Sequence, residues 1–261
     1  MRVEVPPRVR HTRVCVLLPI HNEQMVVARA IDAVVEFAER HPDYSFVFVD
    51  DASTDDTAGI AHHRLIGHKE RWGRSSELSH HVRMRSLMRN RGKCGAVRAA
   101  MKRADADLVC FLDGDMAYSL DHLPVLVKAL ETADVAIGSR SLVATHESRP
   151  GLLRRVLGES FNRLVRFILG LPYKDTQAGL KGFRAAAARK LFAVQRLRSF
   201  AFDAELLYLA KKFKMRVAEV PARVSPEHAQ VPSSVNLVLD PLRMLGAIIA
   251  VRVNDWRERY E

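Results

Sequence analysis

A mostly parallel β-sheet with helices on both faces is the fold class this sequence predicts, and three observations predict it. Short runs rich in Val, Ile, Leu and Phe alternate with longer stretches whose apolar residues recur at helical spacing. The runs end on Asp, Asn, Gly or Pro, the residues that close strands and open turns. With 261 residues, 48% of them hydrophobic, the chain can bury the core of one large α/β domain or two small ones.

The elements follow in order. Arg13–Ile20 (RVCVLLPI) is predicted as the first strand, with Pro19 ending its pairing. Apolar residues at helical spacing predict a helix over Glu23–Arg40, with Asn22 placed to cap it. YSFVFVD (Tyr44–Asp50) is the second strand, and a short helix over Thr54–His63 begins near a cap at Ser53. The polar stretch Ile66–His81 reads as an inserted surface loop. HVRMRSLM (His81–Met88) is strand three, Gly92–Ala104 a helix, DLVCFLD (Asp107–Asp113) strand four, Leu120–Ala133 a helix and DVAIGSR (Asp134–Arg140) strand five. Beyond Arg140 the rhythm changes. Residues 151–169 form a basic amphipathic helix, DTQAG opens a Gly-containing loop, helices follow over Ala185–Val194 and Asp203–Phe213, and Met215–Val224 is a further strand. The simplest division is an extension over 1–11, a catalytic domain over 12–225 with halves 12–140 and 141–225, and a loop with an amphipathic helix over 226–261.

Composition narrows the function classes. Cys15, Cys94 and Cys110 are an odd number at unpatterned spacing, which points to reduced thiols in a cytoplasmic setting rather than a disulfide frame or a zinc site. No signal-peptide pattern opens the chain, and no stretch approaches the ~18 apolar residues of a membrane span. The formal net charge is +11, concentrated in residues 64–103 (twelve Lys or Arg against two Glu) and 140–198 (thirteen against three acids). Such a surface suits anionic partners: nucleic acid, anionic lipid or phosphorylated small molecules.

Three polar clusters stand at strand ends. FLDGDMAYS places Asp113 and Asp115 either side of Gly114 after an apolar strand; in an extended segment both would face one spot at the carboxyl end of a sheet, where α/β sheets bind ligands. Two carboxylates that close repel unless a cation or a set of donors lies between them, and the alternative is a solvated turn. LLPIHNE carries His21, Asn22 and Glu23 to the same edge, and VDDASTDDT carries Asp50 and Asp51 there, although Asp50, Ser53 and Asp55 could also cap a helix. In NRGKCGAVRAA, Gly92, Lys93 and Gly95 open a helix, where free amides and a lysine suit a phosphate. Neither a Walker loop nor a G-x-G-x-x-G fingerprint is present.

In sequence order, LLPIHNE, VFVDDASTDDT, NRGKCGAVRAA, FLDGD, AIGSR, DTQAGLKGFR and FDAELLYLA resemble the family 2 glycosyltransferases with a GT-A fold, over roughly residues 12–255. Within them the chain looks most like the branch that glycosylates polyprenyl phosphates, the dolichyl-phosphate β-glucosyltransferases and their prokaryotic relatives. The resemblance implies an inverting, metal-dependent hexosyltransferase that moves a hexose, glucose above all, from a nucleotide sugar such as UDP-glucose to a polyprenyl phosphate. It makes 12–140 the donor half and 141–225 the acceptor half. Pro19, His21, Asn22, Glu23, Asp50, Asp51 and Ser53 match positions around the base and ribose, and Gly92 and Lys93 lie near the diphosphate. Asp113, Gly114 and Asp115 match the DxD motif, whose two aspartates hold Mg²⁺ or Mn²⁺. Arg140, Asp175, Gln177, Lys181, Asp203 and Glu205 match acceptor-side and catalytic motifs. For Asp203 and Glu205 the alternative is favourable charge at a helix start. A phosphate monoester is largely dianionic at neutral pH, so cationic positioning matters more than a general base. The chain departs from the family at His21, at Ala178, and at Ala52 and Cys94, where glycine is usual; PSSVNLV (Pro232–Val238) replaces a GSKV-like loop.

Without a membrane span, contact with the lipid would come from the amphipathic stretches 151–169 and 237–257, giving a peripheral protein on the cytoplasmic face; alternatively both stretches simply cover the sheet. Competing readings keep the fold with a soluble acceptor or GDP-mannose, or make the chain a basic nucleic-acid-binding or scaffold protein. The last explains the charge but gives no reason for three acidic clusters at one edge, so nucleic acid is not expected as a partner.

Overall fold

The computed structural model describes residues 12–73, 78–143, 152–199, 201–225 and 239–261. Their apolar runs give strands β1 (Val14–Ile20), β2 (Tyr44–Asp50), β3 (Val82–Ser86), β4 (Leu108–Leu112), β5 (Val135–Ser139), β6 (Leu180–Arg184) and β7 (Val217–Pro221). All seven lie in one sheet of order β3-β2-β1-β4-β6-β5-β7. Every pairing is parallel except those of β6, which runs antiparallel to β4 and β5. The mostly parallel sheet is therefore as expected, with one reversed strand inside it. LKGFR escapes pattern recognition because Lys181 and Gly182 interrupt a five-residue run; it becomes a buried strand only through its neighbours.

Helices cover both faces: α1 (Val27–Arg40), α2 (Thr57–Trp72), a single turn α3 (Leu78–His81), α4 (Gly92–Met101), α5 (His122–Ala129), α6 (Leu152–Leu169), α7 (Ala185–Val194), α8 (Phe202–Lys212) and α9 (Leu239–Trp256). Strand alternation sorts the core into two layers. Val14, Val16, Leu18, Phe46, Phe48, Cys110 and Leu112 pack beneath α1, α2 and α5. Leu17, Val109, Phe111 and Phe183 pack beneath α4, α7 and α8, to which α6 adds Val165 and Leu169 and α9 adds Ile248 and Val251. The order of strands reverses between β1 and β4, which opens a crevice at their carboxyl ends.

Several local expectations are corrected. Pro19 does not end β1, because it stays paired opposite Val49 of β2; only the ladder to β4 stops short of it, at Leu17. Asn22 does not cap α1. Its backbone is left-handed (φ 55°), a separate turn on Glu23 follows it, and the helix begins at Val27. Ser53 likewise caps no helix, since its hydroxyl is bound to Asp50. Ile66–Trp72 is not inserted loop but the final two turns of α2. That extension is held against α1 by polar contacts invisible to hydrophobic periodicity: Asp32 accepts from Arg64 (2.7 and 2.6 Å) and pairs with His68 Nε2 (2.7 Å), while Trp72 donates to Glu39 (2.6 Å). The stretches 1–11 and Pro232–Val238 lie outside the described residues.

The Arg64 hydrogen bonds hold the Asp32 carboxyl below its ordinary value, so its contribution to stability is present at neutral pH and is lost as acid protonates it. Asp32→Ala should lower stability at pH 7 by about 1 kcal/mol, or about 2–4 °C in melting temperature, with the difference from wild type shrinking below pH 4 in calorimetric scans.

Candidate functional site

The loops leaving β1 and β2 are laced to each other at the crevice. Asn22 Oδ1 accepts from the Thr54 amide (2.8 Å), and the Asn22 amide donates to Ser53 Oγ (3.0 Å). Ser53 in turn donates through its amide (3.0 Å) and hydroxyl (2.6 Å) to Asp50 Oδ1. The Glu23 amide donates to Thr57 Oγ1 (2.7 Å). Asp51 is buried; its Oδ1 accepts from the Arg91 amide (2.8 Å), while its Oδ2 has no hydrogen-bond partner. His21 Nε2 lies 3.1 Å from Asn90 Nδ2, and Asn90 Oδ1 accepts from the Gly92 amide (2.9 Å). Backbone and side chains thus bring the ends of β1, β2 and β3 to the first turn of α4.

The acid pair arrives by a different geometry from the one expected. β4 ends at Leu112, and Asp113–Met116 is a tight turn closed by Met116 N–H to Asp113 O (3.1 Å). Two glycines make room for it. A Cβ at Gly114 would lie 2.5 Å from the Pro19 carbonyl oxygen, and one at Gly179 would lie 1.8 Å from Asp113 Oδ2. Asp113 is ion-paired with Lys93, and Asp115 Oδ1 accepts from the Ala117 amide (3.0 Å). Burial pushes the Glu23 carboxyl up to about 7, helped by the negative charges of Asp115, Asp113 and Asp55. Lys93 is held above the ordinary lysine value because Asp113, Asp203 and Asp115 together outweigh its desolvation.

At the end of β5, Arg140 forms a two-pronged pair with Asp175 of the loop before β6, Nε to Oδ2 at 2.7 Å and Nη2 to Oδ1 at 3.0 Å. Burial alone would raise the Asp175 carboxyl, but the guanidinium holds it below its usual value. Half of the Arg140 side chain still faces solvent (51%). The Gln177 amide donates to Asp175 Oδ1 (3.1 Å), and Gln177 Nε2 reaches Met244 Sδ of α9 at 3.9 Å.

The structure does not bring every expected residue to the crevice surface. Lys181 is fully buried; its Nζ meets Asp203 Oδ1 at 2.7 Å and the Ala178 carbonyl at 2.6 Å, beneath the Phe111 ring. Its position behind β4 suits a support for the Asp113 turn rather than contact with a substrate. Glu205 is also buried, and its carboxylate accepts from Gln195 Nε2, the Arg196 and Leu197 amides and the Tyr260 hydroxyl at 2.6–3.0 Å. All of those donors are structural. Residues the sequence did not single out complete the frame. Glu219 of β7 accepts from the Lys174 and Asp175 amides (2.9 and 3.3 Å), and Asn162 of α6 holds Lys174 and Thr176. Both are single polar residues without a motif, so only the packing identifies them.

Among the described residues no group of three or more His, Cys, Asp or Glu side chains converges as a metal cage. Asp113 and Asp115 offer hard oxygen donors in a negative field, which fits a divalent cation completed by water and phosphate oxygens.

Residues 15–192 match the model of glycosyl transferase family 2. Relatives include a dolichyl-phosphate β-glucosyltransferase of Drosophila melanogaster, 33% identical over 222 residues, covering 80% of this chain and 65% of that protein. Another, of Trichomonas vaginalis, is 31% identical over 218 residues, covering 78% and 61%. The chain thus spans less than two thirds of the length of these relatives. A solved structure of the same fold is glucosyl-3-phosphoglycerate synthase from Mycobacterium tuberculosis with Mn²⁺ and UDP-glucose, at TM-score 0.61 and 18% identity, covering 93% of this chain and 78% of that one.

Two outcomes follow from the electrostatics. A carboxyl whose folded pKa is raised favours the fold below its unfolded value and loses that contribution as pH climbs to about 7. Glu23→Gln should therefore raise the melting temperature of the metal-free protein by a few degrees at pH 8 and by nothing at pH 4.5. Lys181→Ala leaves the buried Asp203 carboxylate unpaired and should cost about 3–5 kcal/mol in denaturant titrations.

Proposed function

Because the chain belongs to glycosyltransferase family 2 and has the GT-A fold, we propose that it transfers glucose from UDP-glucose to a polyprenyl phosphate of the dolichyl type, with inversion at the anomeric carbon. The observation that carries this reading is the convergence of Glu23, Lys93, Asp113 and Asp115 at the crevice between β1 and β4, with Asp51 after β2 joined to the start of α4 through the Arg91 amide. An acidic cluster with one well-held lysine suits a nucleoside diphosphate brought in with a divalent cation, and would repel a phosphate polymer arriving without one.

The chain's own residues divide the work. Asp51, with one buried carboxylate oxygen still unbonded, would accept from the nucleoside, flanked by Pro19, His21, Asn22 and the Asp50–Ser53 turn. Lys93 and the amides that open α4 would hold the diphosphate. Asp113 and Asp115 would hold Mg²⁺ or Mn²⁺, which offsets negative charge on the departing UDP. Arg140, fixed in orientation by Asp175, would place the acceptor phosphate beside Gln177. A phosphate oxygen of the acceptor attacks the anomeric carbon, that carbon's bond to the UDP oxygen breaks, and UDP leaves with the electron pair. The acceptor is already anionic, so no general base is assigned.

No described helix is long and apolar enough to cross a membrane. Contact with a lipid surface is assigned to α6 and α9, which expose Leu164, Phe167, Ile249, Val253 and Trp256 beside Arg163, Arg252 and Arg257. Dolichyl-phosphate relatives support the lipid acceptor; the mycobacterial enzyme of the same fold, solved with UDP-glucose, supports the donor.

Thermal unfolding with UDP, GDP, UDP-glucose and GDP-mannose, each with Mn²⁺ or EDTA, tests the donor site. UDP ligands at about 100 times their dissociation constant should stabilise the protein by ~2.7 kcal/mol only with metal, and Asp115→Asn should abolish the shift. A shift with GDP ligands instead would replace the donor, and no shift with any nucleotide would remove it. Transfer to a water-soluble phosphate but not to detergent-dispersed polyprenyl phosphate would overturn the lipid acceptor.

A further inference from the structure

Tyr260 is fully buried, four residues beyond the end of α9, and its hydroxyl donates to Glu205 Oε1 at 2.6 Å. Glu205 in turn fixes Gln195–Leu197, the segment that joins α7 to α8, through two backbone amides and the Gln195 side chain. That segment is the back wall of the α4 N-terminus. The Cys94 thiol lies 3.1 Å from the Leu197 carbonyl and 3.4 Å from Gln195 Oε1, which share its one hydrogen, and Arg98 donates to the Gln195 carbonyl (3.0 Å). A Cβ at Gly92 would lie 3.2 Å from the Arg198 carbonyl. The same end of the chain is tied down a second time, by Arg196 Nε to the Arg259 carbonyl (2.8 Å). Hydrogen bonds therefore run without a break from Tyr260 through Glu205 and Gln195–Leu197 to Cys94 in the first turn of α4, the Arg198 carbonyl lies close against Gly92, and the turn's lysine is ion-paired with Asp113.

We propose that Tyr260 is a positioning residue: through Glu205 and the Gln195–Arg198 segment it sets the Gly92–Lys93 turn that receives the donor diphosphate. This rests on the reading above for the role of Lys93, and it turns Glu205 from an acceptor-side residue into the clasp of the donor side. The geometry explains why a carboxylate at the start of α8 is wholly buried. It serves the preceding loop and the residues beyond α9, and none of its four donors lies in the crevice.

Tyr260→Phe keeps the ring and its packing and removes one donor from a buried carboxylate, so it is the variant to make. Two readouts separate positioning from general stability. First, Cys94, Cys15 and Cys110 are all buried thiols. In nucleotide-free protein, Tyr260→Phe should raise alkylation of Cys94 roughly five- to tenfold while Cys15 and Cys110 stay at wild-type rates, read by peptide mass spectrometry. Glu205→Gln, which places a donor where acceptors are needed, should raise it further. Second, Tyr260→Phe should raise the KM for UDP-glucose by a similar factor, with kcat within twofold and the acceptor KM unchanged. Unchanged Cys94 labelling, or an equal rise at all three cysteines, would overturn the clasp. A loosened Cys94 with wild-type donor KM would overturn positioning of the diphosphate turn. If the wild-type protein binds no nucleoside diphosphate, the donor reading fails by itself, and the labelling still decides whether Tyr260 holds the turn.

Discussion

The turn Asp113–Gly114–Asp115 has almost no freedom, and the site is organised around that confinement. It leaves β4 at the point where strand order reverses, passes over the Pro19 carbonyl at the end of β1, and has the Gly179 backbone directly against Asp113. A side chain at Gly114 would collide with the Pro19 backbone and one at Gly179 with the Asp113 carboxylate, so the close packing of the turn depends on both glycines. Lys93 closes the remaining side by ion-pairing with Asp113. The loops after β1 and β2 are locked to each other beside this turn through Asn22, Ser53, Asp50 and Thr54.

Two ion pairs lie at and behind this turn, the part-buried Lys93–Asp113 and the buried Lys181–Asp203. Lys93 and Lys181 approach the Phe111 ring to 5.9 and 5.7 Å, and each has an aspartate partner. Such pairs are poor sources of stability, because desolvation offsets most of the attraction. Their value here is geometric. Lys93 and Asp113 in the crevice, with Lys181 and Asp203 buried behind it, set the field in which a diphosphate and a cation would sit, with little reorganisation on binding. The end of β5 repeats the arrangement nearer the surface, where Asp175 orients Arg140 while Glu219 holds the Lys174–Asp175 backbone.

The antiparallel strand β6 ties the two halves together. It fills the gap between β4 and β5, carries Lys181 into the core, and is entered through the DTQAG loop that brings Asp175, Gln177 and Gly179 to the crevice. The residues proposed for donor and acceptor are therefore mounted on adjacent strands of one sheet, which would give a rigid reference for two substrates that must meet within bonding distance.

The sequence by itself determined the alternation of strands and helices, the edge at which the polar clusters meet, and the family. These depend on local periodicity and on motifs whose spacing is set by a single strand end, such as LLPIHNE, VDDASTDDT and FLDGD. Tertiary structure decided the rest, because it depends on pairs distant along the chain. The extension of α2 rests on Asp32 meeting Arg64 and His68 thirty-two and thirty-six residues away. β6 is a strand because its backbone pairs with β4 on one side and β5 on the other, and its central Lys181 is accommodated in the core by Asp203, partners that no local hydrophobic pattern encodes. Asp113 and Asp115 converge through a turn rather than through strand alternation, since the approach of Pro19 and Gly179 overrides the extended backbone. Glu205 is motif-like in sequence, yet its partners assign it to the scaffold: Gln195, Arg196 and Leu197 reach it only when the loop before α8 bends to meet it, and Tyr260 only when the chain beyond α9 folds back over α8.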